Sequence, residues 1–376
     1  MIKRVAIFIP GGVGDEASGV HIPSIVSLIS RLSDRFAITV YPLISPATEA
    51  SDYRCGNAIV RNLHLRQTDH PLTQLSQLAK LFLRDHHREP YQLLHGFWAL
   101  PTGFAAVALG KFLHVPSIVS VLGAETANLP EIDYGNLRHS FTRQLTLRTC
   151  RHADTLIALT QAQIEALRSY GIDREDIRVI PPAVDANLFQ YSEKLFPRTS
   201  LRCLHVANLN EVKDQETLLQ AFALIAKQCD ARLRIAGRDY LGGRIQVLAE
   251  RLGVMERVEF LGFQTQQQLL EQYRWADILL HTSLHEGGGV VIAEAAATGV
   301  VVCGTNVGLI ADLGRDRAVI VEPGDHIALA REVLNLLAAP ERYHQLRERA
   351  HQWSLLHDLD RAVEELSAVY SRHIRG

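Results

Sequence analysis

Two doubly wound α/β domains are the fold this sequence predicts, and three observations carry that expectation. Short apolar runs of strand length alternate with longer helix-period segments along nearly the whole chain, the pattern of parallel sheets covered on both faces. The alternation breaks once, at "VIPPAVDANLFQYSEKLFPRTS", residues 179–200, a proline-rich and polar stretch without clear period that reads as a linker. The chain has 376 residues, more than one core comfortably serves, so two domains are the natural count. The expected boundaries are 1–190 for the first domain, 191–354 for the second and 355–376 for a closing helical segment.

The first strand is "RVAIFIP"; its apolar run before Pro10-Gly11-Gly12 is too short for a signal peptide. Further strands are expected at "AITVYPL", "QLLHGFW", "PSIVSVLG" and "TLIALT", with helices such as 22–34, 72–86 and 102–113 between them. After the break come "LRCLHVANL", helix 214–228, "ARLRIAG", helix 242–252, "RVEFLGF", helix 266–274, "DILLHTS", helix 290–298, "VVVCGT" and "AVIVEP". Helices near 325–338, 340–353 and 358–373 close the chain. Ligands of such sheets gather at the carboxyl ends of the strands, so a cleft between the two domains is the expected site.

Hydrophobic content of 47%, charged content of 21% and a formal net charge of -2 describe an ordinary globular chain without whole-protein attraction for nucleic acid. The five cysteines, Cys55, Cys150, Cys203, Cys229 and Cys303, are odd in number, scattered and without a CxxC pair. That argues against a disulfide framework or a zinc site and fits a reducing, cytoplasmic compartment. The longest apolar region, 99–110, is broken by proline and glycine and is no membrane span.

The stretch "HEGGGVVIAE", 285–294, carries the most chemistry: Glu286 and Glu294 frame Gly287, Gly288, Gly289 and a short apolar run. Three adjacent glycines are costly to order, and carboxylates beside core residues are costly to bury. Placed after the strand "DILLHTS" with a helix opening near Gly289, the glycine amides form an anion site. The glutamates then stand as acceptors for hydroxyls on either side of it. Anion donors between hydroxyl acceptors suit a molecule that is part phosphate and part sugar.

Glu286 and Glu294, with seven residues between them, resemble the E-x7-E motif of the family-four retaining glycosyltransferases. The likeness extends through "SLHEGGGVVIAEAAATGVVVCGTNVGLIADL", and upstream "VANLNEVKDQETLLQAF" resembles that family's strand, phosphate-lysine and helix block. "ADTLIALTQAQIEALRSYGI" with "IRVIPPAVDANLF", and "HGFWALPTGFAAVALGKFLHVPSIVSVLGAET", are similar to parts of its first domain, in consistent order. The resemblance implies the GT-B fold, with two Rossmann-like domains facing across a cleft and a C-terminal helix crossing back to the first. It implies that Glu286 binds hydroxyls of the donor sugar, with the amides of Gly287, Gly288, Gly289 and Val290 nearby. Glu294 is then placed on the ribose and Lys213 on the diphosphate, where a cation offsets leaving-group charge. The loop "PGGVGDEASG", 10–19, with Gly11 and Gly12, lies where the family's glycine loop approaches phosphate and acceptor.

Two positions depart from the family pattern. Asn208 stands where an arginine is frequent, five residues before the lysine, and an amide supplies neither charge nor guanidinium fork. Arg238 in "AGRDY" is the candidate to compensate. Leu122 stands where many relatives have histidine, leaving Glu125 as the nearest polar group and His95, at a strand end, as a second candidate for the acceptor side. The segment "LRHSFTRQLTLRTCRH", 137–152, has Arg138, Arg143, Arg148 and Arg151, no acid, and Leu137, Phe141 and Leu145 at helical spacing. Such a helix can dock on anionic lipid or pack its stripe into the core.

The resemblance implies a retaining enzyme that moves a sugar from a nucleotide-diphosphate donor to a hydroxyl acceptor, with Lys213 and Glu286 carrying the chemistry and no metal or further cofactor expected. A sugar-nucleotide epimerase on a similar fold and a non-catalytic nucleotide-sugar-binding paralogue are the alternatives. Product analysis separates the first, and binding without turnover identifies the second.

Overall fold

The computed structural model describes residues 3–14, 22–44, 52–65, 68–193, 196 and 200–374. The chain divides into two units, Met1–Pro181 with Leu359–Gly376, and Pro182–Asp358. Residues 182–190, expected in the first domain, therefore lie in the second unit. Val184 and Phe189 explain this: both are buried in the second unit's core beside Leu204, Tyr273 and Ile292. The segment expected to be a linker thus carries core side chains on irregular backbone, which no periodicity can reveal.

In the first unit β1 (Arg4–Ile9) is buried from Val5 through Ile9, as a parallel strand covered on both faces must be. Helix α1 (Pro23–Leu32) places proline in its first turn, where the missing N–H has no helical partner to lose. It buries Ile25, Ile29 and Leu32 along one face. Strand β2 (Ala37–Pro42) pairs parallel with β1. A hairpin not anticipated from the sequence follows: β3 (Tyr53–Cys55) and β4 (Ala58–Val60) are antiparallel across Gly56-Asn57, a two-residue turn that hairpins favour.

Helix α2 (Pro71–Arg88) inserts Leu78 and Phe82 into a cluster with Phe8, Tyr41 and Tyr91. Each such buried side chain contributes about 1.5–3 kcal/mol. Then come β5 (Leu93–Phe97), α3 (Phe104–Leu113), β6 (Ser117–Val121), α4 (Ser140–His152), β7 (Thr155–Ala158), α5 (Gln161–Ser169) and β8 (Arg178–Val179). Among the described residues the sheet order is β3-β4-β2-β1-β5-β6-β7-β8, so the order reverses between β1 and β5.

The second unit contains β9 (Leu201–Val206), α6 (Gln215–Ala226), β10 (Ala231–Ala236), α7 (Arg244–Arg251), β11 (Val258–Gly262), α8 (Gln266–Trp275) and β12 (Ile278–His281). It continues through α9 (Val290–Thr298), β13 (Val301–Thr305), α10 (Gly308–Leu313), β14 (Ala318–Val321), α11 (His326–Leu337) and α12 (Pro340–Leu356). Its all-parallel sheet runs β11-β10-β9-β12-β13-β14. The chain winds outward from β9 to one edge, then restarts at β12 toward the other. A crevice opens where two such neighbouring strands send their connections to opposite faces, here between β9 and β12.

The last helix, α13 (Leu359–His373), belongs to the first unit. Arg31 reaches Asp360 at 2.9 Å, and Tyr370 is fully buried against Phe36 and His95. No helix among the described residues is long and apolar enough to cross a membrane.

Candidate functional site

Lys213 ends a short 3-10 turn, Glu211–Lys213, in the connection from β9 to α6. Asp214 follows at φ 47 and caps α6, its carboxylate accepting from the Thr217 N–H at 3.1 Å. The loop after β12 is stitched to this turn. The Thr282 hydroxyl donates to the carbonyls of Lys213 (3.0 Å) and Asp214 (2.9 Å), and the Leu284 N–H donates to the Val212 carbonyl (2.8 Å). Lys213 and Glu286, 73 positions apart, thereby meet at the crevice.

There Lys213 Nζ pairs with Glu286 Oε1. The same oxygen accepts from Ser283 Oγ at 2.8 Å and from His281 Nε2 at 2.9 Å. An ionised carboxylate has no proton to give, so the His281 proton sits on Nε2. Three donors thus converge on Oε1, while Oε2 has no hydrogen-bond partner among the described residues. Burial works to raise the Glu286 pKa, but the Lys213 charge and the bonds from His281 and Lys213 overcome it and hold the carboxyl well below the usual range. Gly308 closes the back of the site: at φ +51, a Cβ there would lie 2.5 Å from Glu286 Cβ.

His281 is 1% exposed, and its Nδ1 has no hydrogen-bond partner among the described residues. An unsatisfied buried polar atom costs about 1–3 kcal/mol. His205 lies behind it, ring centroids 6.3 Å apart, with Nδ1 donating to the Leu280 carbonyl (2.9 Å) and Nε2 accepting from Gln215 (3.2 Å). Burial pushes His205 down to about 3, so it is neutral.

Gly289 caps α9 at φ +84, a left-handed conformation that glycine adopts without strain. The N–H groups of Gly288 and Gly289 donate to no described residue, and the Gly288 carbonyl accepts from the Leu309 N–H at 2.9 Å. Val290 opens the helix, and Glu294 lies one turn in, 7% exposed, with Oε2 accepting from the Tyr273 hydroxyl at 2.7 Å. Desolvation drives its carboxyl up to about 7, against the lowering pull of that bond.

Asn208 is exposed, yet its side-chain oxygen accepts from the Arg238 N–H at 3.0 Å, so the amide braces the Arg238 loop. The Arg238 guanidinium stacks over Phe263 at 4.6 Å, and no acid among the described residues pairs with it. Asn208 and Arg238 therefore act on one another, which their sequence positions do not reveal.

The first-unit candidates separate. Gly11 and Gly12 follow β1, at the order reversal of that sheet, with the Gly12 carbonyl accepting from the Ile22 N–H at 2.9 Å. Residues 15–19 of that loop lie outside the described residues. Glu125 and His95 are corrections. Glu125 is fully buried and accepts from the N–H groups of Ala99 (3.0 Å), Leu122 (3.3 Å) and Gly123 (2.7 Å). It joins the loops after β5 and β6 instead of facing a ligand. His95, also fully buried, spends both ring nitrogens, on Tyr370 at 2.7 Å and Ser120 at 2.8 Å; it pins α13 to the sheet.

The expected apolar stripe of 137–152 is divided between core and surface. Leu137 is buried ahead of α4, whereas Phe141 is 77% exposed. The inward side carries Thr146, Thr149 and Cys150. His281, Ser283 and Tyr273 were not expected in the site. The only sequence signal for the first two was their place at the end of a strand just before Glu286, and for Tyr273 there was none.

With this geometry in hand, comparison with known proteins is informative. Residues 190–353 match the family model described as glycosyl transferases group 1, and residues 24–188 match that described as glycosyltransferase family 4. A D-inositol 3-phosphate glycosyltransferase of Catenulispora acidiphila is 31% identical over 59% of this chain and 57% of its own length. The chain thus spans little more than half of that relative. Sucrose-phosphate synthase from Thermosynechococcus elongatus superposes with a TM-score of 0.81 at 17% identity, covering 98% of both chains. Anabaena HepE, solved in complex with UDP-glucose, gives a TM-score of 0.76 at 20% identity, covering 98% of this chain and 99% of HepE. At these identities the structural likeness speaks for the fold.

Proposed function

The chain belongs to the family-four, group 1 glycosyltransferases of GT-B fold, and from that premise we propose that it moves a sugar from a nucleotide-diphosphate donor to a hydroxyl acceptor with retention of configuration. The observation that carries this reading is the meeting of Lys213 and Glu286 where the strand order reverses, beside Gly288 and Gly289, whose amides donate to no described residue. Lys213 and those amides receive the diphosphate and balance the charge that grows on the leaving oxygen. Glu286 Oε2 accepts a hydroxyl of the donor sugar, and Glu294 accepts from the ribose. With the leaving phosphate oxygen taking the acceptor proton, the reaction needs no protein nucleophile, and positioning supplies most of the rate. HepE binds UDP-glucose, so uridine nucleotides are the first donors to try. A glycan, a lipid-linked sugar or a small molecule supplies the acceptor hydroxyl.

A thermal-shift screen of nucleoside diphosphates and their sugars tests this. A ligand at a hundred times its Kd adds about 2.7 kcal/mol of native-state stability. Arg238→Ala is expected to weaken the winning nucleotide about tenfold, since it removes a charge-assisted contact to phosphate. No shift with any nucleotide sinks the reading, and an unchanged affinity removes Arg238 from the site.

We further propose a cytoplasmic protein that makes peripheral contact with the inner face of the membrane. Phe112 on α3 and Phe141 on α4 are 73% and 77% exposed, and Arg148 and Arg151 are exposed further along α4. Aromatic side chains among arginines suit an anionic lipid surface. Flotation with anionic vesicles should carry the protein upward, and Phe141→Ser should leave it below. Wild-type protein that stays at the bottom of the gradient removes membrane contact.

A further inference from the structure

We propose that His281, with Ser283, is the positioning residue that keeps Glu286 aimed at the donor sugar when Lys213 is drawn away to the diphosphate. The inference rests on the donor site described above and adds residues that E-x7-E does not contain.

Lys213 cannot serve two anions equally. Its ammonium sits on Glu286 Oε1. A diphosphate carries more charge than a carboxylate and competes for the same point cation. As Lys213 turns, Glu286 keeps two donors, His281 Nε2 and Ser283 Oγ, both on Oε1. These are fixed where Lys213 is not. His281 is the last residue of β12, paired with Gly304 of β13, and the Ser283 carbonyl accepts from Thr305 Oγ1 at 2.6 Å. Both donors hold the same oxygen, so Oε1 keeps its place and Oε2 stays available as an acceptor.

The unpaired Nδ1 of His281 is the second observation. An apolar residue of similar bulk in this buried position would leave no polar atom without a protein partner. A histidine kept there despite that cost points to a use for its other nitrogen, because strained or unsatisfied groups persist where they serve the site. A group retained only for packing has no such signature.

The test compares His281→Leu, His281→Gln and Ser283→Ala in the full chain, using thermal unfolding, affinity for the bare nucleoside diphosphate, and affinity and turnover with its sugar. His281→Leu trades the lost bond to Glu286 against the relieved Nδ1, so it should unfold close to wild type and bind the bare diphosphate within about twofold of wild type. It should lose about 10–100-fold in kcat/KM with the nucleotide sugar, as expected when a donor to a reacting-site carboxylate is removed. His281→Gln, whose amide can place an N–H near Nε2, should recover most of that loss. Ser283→Ala should fall in the same direction by about 3–10-fold. An equal loss for diphosphate and sugar nucleotide, or full turnover of His281→Leu, overturns the proposal. Wild-type protein that binds no nucleotide sugar overturns the donor-site reading itself, which the variants alone cannot do.

Discussion

Lys213→Ala should lower sugar transfer to about a thousandth of wild type, because removing one preorganised donor to a developing anion typically costs 10²–10³ in kcat. It should also destabilise the unliganded fold. The Lys213 and Glu286 side chains are 22% and 11% exposed, so their pair is screened only in part. Breaking a fully buried pair costs about 3–5 kcal/mol, and about 2 kcal/mol is expected here after allowing for solvent. Much of that is the penalty of leaving Glu286 charged without its cation. Lys213→Ala with Glu286→Gln should therefore recover stability and remain inactive. Glu286 also sets an acid limit. Its folded pKa lies below the ordinary 4.5, so its stabilisation is present above 4.5 and is lost as pH falls toward the folded value. Initial-rate assays and thermal unfolding of the single and double variants decide the matter; a single variant within tenfold of wild type defeats the assignment.

Glu294→Gln should remove a pH dependence of opposite sign. The Glu294 carboxyl is raised from 4.5 to about 7 by burial, so between those values the folded chain holds a proton that the unfolded chain has released. Its contribution is complete below 4.5 and disappears as pH rises through about 7. The full span corresponds to about 3 kcal/mol. Thermal unfolding from pH 5 to 8 should fall more steeply for wild type than for Glu294→Gln. Nucleotide affinity should move the other way, rising with pH to a plateau above about 7, because the ionised carboxylate can accept from both ribose hydroxyls. Tyr273→Phe removes a bond that favours the ionised form and should shift that rise to higher pH. Titration calorimetry across this range that finds no change in affinity rules out Glu294 as the ribose acceptor.

The contrast between residues that were legible and those that were not has a physical origin. Glu286, Glu294 and the glycines occupy one strand–loop–helix passage, so their spacing along the chain nearly sets their spacing in space. Lys213 was legible through its strand–turn–helix context, though its partner lies 73 positions away. His95 misled because a strand buried on both faces shows no alternation, and Glu125, in the turn after β6, because polarity alone does not tell which way a side chain points. Whether the stripe of 137–152 meets the core or the surface was open in the sequence, because helical spacing identifies a stripe but not what the chain packs against it. Gly56-Asn57 was a readable hairpin turn, lost among the polar residues around it.

What the sequence by itself determined is the alternation that makes two wound sheets, the ends of their strands, and the local placing of a cation, glycine amides and two carboxylates. Only the tertiary structure decided how those groups are held. It placed three donors on one oxygen of Glu286, a tyrosine hydroxyl on Glu294, and an asparagine beneath Arg238. Such contacts join side chains from separate elements over a few ångströms, and their energies depend on burial and direction, which a linear order of residues does not contain.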